Sequence, residues 1–138
     1  MRKINKFIVH CSATREGQDI SIDTIREWHV EERGWSDVGY HYVVDLEGRI
    51  HLGRPIEKSG AHTRGENKSS IGICYIGGCD ANMHPKDTRT NAQKATLLEL
   101  LRILHKTFPE CITYGHRDFS DKACPSFNAF DEYKNLSK

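Results

Sequence analysis

At 138 residues the chain is long enough for one packed domain without disulfides, and its net charge of +1 gives no global field to draw it to nucleic acid or an anionic membrane. Hydrophobic residues at 37% and charged residues at 28% describe an ordinary soluble globular protein, with no apolar run near the roughly 20 residues of a membrane span. The five cysteines are an odd number with no framework spacing, and residues 1–10 lack both a long apolar stretch and a small-residue cleavage site, so a reducing, cytoplasmic location without a signal peptide is expected.

Phe7-Ile8-Val9-His10 reads as a short apolar strand that runs into a polar loop at Cys11-Ser12-Ala13-Thr14. Ser21 is placed to cap a helix from Ile22 to about Arg33, with Ile22, Ile25 and either Trp28 or His29 facing inward and Gly34 as the stop. Tyr40 to Asp45 and Arg49 to Leu52 read as two strands around Leu46-Glu47-Gly48, a hairpin in pattern and length. Residues 56–69 are a long polar loop, of the kind that carries function inside a compact domain. Ile71 to Ile76 is continuously apolar and reads as a central strand buried on both faces, closed by Gly77-Gly78. Thr90 and Gln93 make a capping box for a helix to about Thr107, with Leu97, Leu100, Leu101 and Leu104 as its stripe and Pro109 beyond its end. Cys111 to Tyr114 is a last short strand that delivers His116, and Phe127 to Leu136 is a closing helix that packs Phe127, Phe130 and Tyr133. With no repeat or linker, residues 1–138 form a single α/β domain.

His116 and Cys124 stand eight positions apart on an irregular segment, with Lys122 two residues before the thiol. An imidazole, a thiol and a cation in that setting suit either a metal site or an activated nucleophile. The motifs V-H-C-S-A-T, D-V-G-Y-H-Y, S-I-G-I-C-Y-I-G-G, G-H-R-D and K-A-C-P-S-F, in this order from about residue 7 to residue 127, resemble the phage-lysozyme type of N-acetylmuramoyl-L-alanine amidase. The wider family is the zinc amidases, which include the peptidoglycan recognition proteins.

The resemblance implies a central mixed β-sheet flanked by helices and one Zn2+ per chain, held by His10, His116 and Cys124. Two imidazoles and one thiolate leave a tetrahedral zinc one open position, as catalytic sites do. Alternation along the first strand turns Cys11 away from His10, so Cys11 is expected to be a small buried apolar side chain. Family members without the third ligand bind glycans and do not cut them, so Cys124 favours turnover. Lys122 matches the family lysine that meets the oxyanion, and Tyr40 matches its catalytic tyrosine in G-Y-H. His41, the next residue, reads as structural. His62 and Asn67, within Gly60-Ala-His-Thr-Arg-Gly-Glu-Asn67, match a His and an Asn that line the substrate cleft. The other histidines and cysteines carry no motif and read as surface, helix-face or buried structural residues.

The activity implied is hydrolysis of the amide between N-acetylmuramic acid and L-alanine in bacterial peptidoglycan, by a monomeric phage or prophage endolysin released to the wall at lysis. Three alternatives stand beside it: a peptidoglycan-binding module without turnover, a metal-free cysteine hydrolase using Cys124 and His116, and a cytoplasmic amidase that recycles muropeptides. No nucleic-acid or membrane partner is expected.

Overall fold

A computed structural model of the chain describes residues 2–137. Strand β1 (Lys6–Cys11) is followed at once by the two-residue β2 (Thr14–Arg15). The Ser21 hydroxyl then accepts the Thr24 N–H at 3.2 Å and starts α1 (Ile22–Glu27). That helix does not end at Glu27 but widens into a π-helical turn over Trp28–Glu32, and Gly34, at φ +70°, ends it. Strands β3 (Tyr42–Val44) and β4 (Ile50–Leu52) form the expected hairpin, whose turn is held by the Asp45 carboxylate accepting the Glu47 and Arg49 N–H groups. Next come β5 (Ser70–Tyr75), β6 (Gly78–Cys79), the long α2 (Asn91–Thr107), β7 (Ile112–Gly115) and α3 (Ala129–Tyr133).

Five strands form one sheet in the order β4-β3-β5-β1-β7, parallel throughout except for the antiparallel β3–β4 pair. The fold is therefore the mixed, helix-flanked sheet that the sequence implied. All six residues of β5 are buried, as a central strand covered on both faces requires. On one face Phe7, Val9, Ile71 and Ile73 pack with Leu97, Leu101 and Tyr133 of the two later helices. On the other, Val43, Cys74 and Ile76 pack against Ile25 and Val38. His10 and Cys11 fall on opposite sides of this division, because successive strand residues do.

Some local expectations are corrected. Phe130 is not packed in the core but is 39% exposed and stacked on Tyr114 at 5.6 Å, while Ala129 takes the inward place beside Tyr133. Tyr40 and His41 precede β3 and do not belong to it, although the His41 N–H still bonds to the Gly72 carbonyl at 2.9 Å. A second, two-stranded parallel sheet pairs β2 with β6. It draws the loop after β1 against the turn after β5, where Gly77 (φ +130°) and Gly78 (φ +101°) adopt backbone conformations that a side chain would strain.

Gln93 does more than close the capping box. It is fully buried, its Oε1 accepts the Thr90 N–H, and its Nε2 donates to the Ile76 carbonyl at 2.9 Å and the Val44 carbonyl at 3.3 Å. One side chain thus ties the start of α2 to the ends of β3 and β5. Gln93→Ala is expected to lower unfolding stability by about 2 kcal/mol, since the backbone groups it serves would be left buried and unpaired; the shift in the urea midpoint measures it.

Candidate active site

In a parallel sheet the strand ends line up on one edge, which is where open α/β sheets place their ligands. Here Val9 of β1 pairs with Gly115 of β7, and each is followed by an imidazole, His10 and His116. Their ring centroids lie 4.6 Å apart. Cys124 reaches the same spot from the loop after β7. That loop is folded back by the Arg117 N–H bonding to the Cys124 carbonyl at 2.7 Å, and it is seated by the Tyr75 hydroxyl donating to the Pro125 carbonyl at 2.6 Å. Gly115 lets the proline ring lie against the end of β7, since a Cβ there would come within 2.8 Å of Pro125 Cδ.

Among the described residues, one atom each from His10, His116 and Cys124 gather within 4.8 Å of one another. His10 presents Nδ1 to the sulfur at 3.8 Å. The Cys11 backbone N–H donates to Cys124 Sγ at 3.1 Å, a bond that favours a thiolate there. The Cys11 side chain itself packs against Gly78 and Ser126 and is not part of the cluster.

The electrostatics suit metal ligands better than a nucleophile pair. Burial above all, with His62, His116 and Lys122 nearby, holds His10 well below the ordinary 6.5 of an imidazole; burial and Lys122 lower His116 too. Both rings are therefore neutral at pH 7, the form that binds metal. Contact with the Cys11 thiol and burial push the Cys124 thiol up, against the opposing pull of the Cys11 N–H. The two rings and the sulfur fit a zinc ion in donor type and number, with Cys124 losing its proton on binding.

The cluster floors a cleft of about 270 Å³ that Tyr40 and Lys122 also line. The Tyr40 ring is 5.1 Å from that of His10, and burial, with the thiols around it, holds its phenol well above 10, so it is a proton donor at neutral pH. Lys122 is exposed on the loop at the cleft mouth. His41 is structural: it is buried, its Nδ1 accepts the Gly72 N–H at 3.0 Å and its Nε2 donates to the Lys58 carbonyl at 2.8 Å.

Of His62 and Asn67, only His62 lines the cleft. The Asn67 side-chain oxygen accepts the N–H groups of His62 and Thr63, both at 2.9 Å, so this residue shapes the loop and stands back from the cleft. His62 does line the cleft, but both ring nitrogens are turned to protein, Nδ1 to His10 at 2.8 Å and Nε2 to Ser70 at 3.3 Å.

Part of the cleft is lined by residues that carry no motif in the sequence. Trp28 and His29, on the π-helical turn, line the cleft with Trp35. His29 is buried, accepts the Gly39 N–H on Nδ1 at 2.8 Å and meets Trp35 edge-on at 4.7 Å. The helical stripe left Trp28 and His29 as alternatives for one inward position, and the wider turn brings both to the site.

The family model described as N-acetylmuramoyl-L-alanine amidase matches residues 1–127. The chain belongs to that family. Over 127 residues it is 39% identical to the endolysin of Enterobacteria phage K11, covering 92% of this chain and 83% of that protein. It is 30% identical to peptidoglycan-recognition protein SC2 of Drosophila melanogaster over 131 residues, covering 93% of this chain and 68% of the relative. Among solved structures, N-acetylmuramoyl-L-alanine amidase LysC from Clostridium intestinale superposes with a TM-score of 0.82 at 28% identity, over 97% of this chain and 85% of LysC. The amidase chain is accordingly a peptidoglycan-directed enzyme with the amidase and recognition-protein fold.

Burial also sets how the amidase responds to acid. His29 and His41 are each lowered to about 4, chiefly by desolvation, while the unfolded chain binds protons near 6.5. The unfolded state thus takes up more protons as pH falls below 6.5, and stability drops until the folded values near 4 are passed. Each of the two should remove on the order of 1–2 kcal/mol by pH 5. Thermal melts of metal-free protein should show a falling Tm from pH 7 to pH 5, and His41→Asn should flatten that slope.

Proposed function

We propose that the chain is a zinc-dependent N-acetylmuramoyl-L-alanine amidase that acts as an endolysin, cutting the amide between N-acetylmuramic acid and L-alanine. The observation that carries this reading is the convergence of His10, His116 and Cys124 at the floor of an open cleft, with Tyr40 and Lys122 beside them. His10 through Nδ1, His116 and Cys124 would hold the zinc, which supplies a nucleophile at neutral pH and polarises the scissile carbonyl. Lys122 places its ammonium where negative charge develops on the amide oxygen, and Tyr40, kept protonated by its surroundings, adds a hydrogen-bond donor to the same region. Trp28 and Trp35 give the cleft apolar faces against which a glycopeptide can lie.

The gathering of two imidazoles, not one, around the Cys124 sulfur suits a metal ligand better than a cysteine nucleophile. The complete ligand set weighs against a binding module without turnover. Similarity to phage endolysins supports work on the cell wall at lysis, and no helix among the described residues is long and apolar enough to cross a membrane.

The wild type should hold about one zinc per chain by elemental analysis, and Cys124→Ala should lose most of it, as removal of a direct ligand requires. Hydrolysis of purified sacculi should stop with a chelator and return with zinc. Lys122→Ala should keep its zinc while turnover falls by about 10²–10³-fold. Full activity in chelator-treated, zinc-free protein would defeat the proposal.

A further inference from the structure

The loop histidine of this amidase has its whole hydrogen-bonding capacity spoken for, and the direction of each bond can be read from the donors and acceptors available. The Ser70 hydroxyl donates to the Glu66 carbonyl at 2.8 Å, since a carbonyl can only accept. Towards His62 Nε2, 3.3 Å away, the Ser70 oxygen is therefore the acceptor, and Nε2 carries the proton. A neutral ring protonated at Nε2 is bare at Nδ1. That bare nitrogen stands 2.8 Å from His10 Nε2, and one hydrogen must lie between them, so His10 donates it. Thr63 Oγ1, 3.2 Å from His10 Nε2 and 3.0 Å from His62 Nδ1, can accept from the first and donate to the second, which agrees with the same assignment. A His10 ring protonated at Nε2 has its lone pair on Nδ1, the atom that faces Cys124 at 3.8 Å.

The backbone makes room for this arrangement. Gly72 sits in the interior of β5, where a glycine weakens a strand unless something must approach closely. Here the His62 ring does: a Cβ on Gly72 would stand 2.6–2.8 Å from Cδ2, Cγ and Nε2 of that ring. Gly60 does the same from the loop, its Cβ meeting His62 Cδ2 at 2.7 Å.

We infer that His62 is a positioning residue for the metal site, the link that joins His10 to a Glu66–Ser70–His62–His10 hydrogen-bond relay and fixes His10 in the tautomer and orientation a metal ion needs. It does not contact substrate through its nitrogens. Outer partners of this kind govern metal affinity by about 10–100-fold when removed. The inference rests on the zinc reading above, and its test is separable from it.

Imidazole 15N spectra of metal-free wild type should show His10 and His62 both protonated on Nε2 and bare on Nδ1. A proton on Nδ1 of either ring overturns the inference whether or not the chain binds zinc. Zinc affinity, by chelator competition on folded protein, then tests the consequence. His62→Asn, whose Oδ1 can sit near the place of Nδ1 and accept from His10, should bind zinc close to wild type. His62→Leu, which fills the space over Gly72 without an acceptor, should weaken zinc about 10–100-fold and alter the cobalt-substituted absorption spectrum. A residue that merely filled space would give the opposite order, with Leu ahead of Asn, and that result would refute the assignment. Should both variants fail to fold, the wild-type spectra decide. Absence of zinc binding in the wild type would remove the proposed function while leaving the tautomers to be judged on those spectra.

Discussion

The parallel register between β1 and β7 is the constraint from which the active site follows. Residues about a hundred positions apart become neighbours because Val9 lies beside Gly115, and the strands point the same way. A one-residue slip of β1 would turn His10 to the opposite face and bring Val9 or Cys11 to the cleft in its place. The register is strongly held, since both faces of β1 are buried and its other edge is zipped to β5 over six residue pairs. The core therefore specifies the site geometrically before any ion arrives.

Two thiols, several imidazoles and a phenol lie close together in a poorly solvated edge of the sheet. Such a cluster is tolerable because nearly every member is neutral and bonded. His41 and His29 each accept a backbone N–H, His62 accepts from one neighbour and donates to another, and the Cys124 sulfur takes the N–H of Cys11. Low charge in the resting pocket has a chemical use. A site that holds no cation of its own at its floor imposes little electrostatic resistance to a divalent ion, while Lys122 keeps its charge out at the mouth.

Much of the architecture was legible because it rests on local rules. The apolar run of β5, the Thr90/Gln93 box ahead of a leucine stripe, and the Ser21 cap each announce themselves within a few residues. The opposed directions of His10 and Cys11 followed from strand alternation alone. What escaped depends on distant partners. The β2–β6 pair is made of two residues on each side and has no hydrophobic signature; it exists only because the loops after β1 and β5 leave the sheet together. The π-helical turn that presents both Trp28 and His29 breaks the 3.6-residue period on which the stripe was counted. For His62 and Asn67, the motif points to a loop, but which way each of its side chains faces depends on partners outside the motif, Ser70 and His10 for His62 and the loop's own backbone for Asn67. Phe130 was assigned inward by helical spacing, and Ala129 took that place because the helix starts two residues later than expected.

Gly72 gives the segment of residues 60–69 an unusual standing. Connections at a protein's periphery ordinarily accept insertions and deletions with little penalty. Here the central strand lacks a side chain of its own at one position, and an imidazole ten residues earlier fills the vacancy. The segment is thus packed against the central strand as much as it is a connection, so an insertion that carried His62 away from Gly72 would leave that position of the strand uncovered.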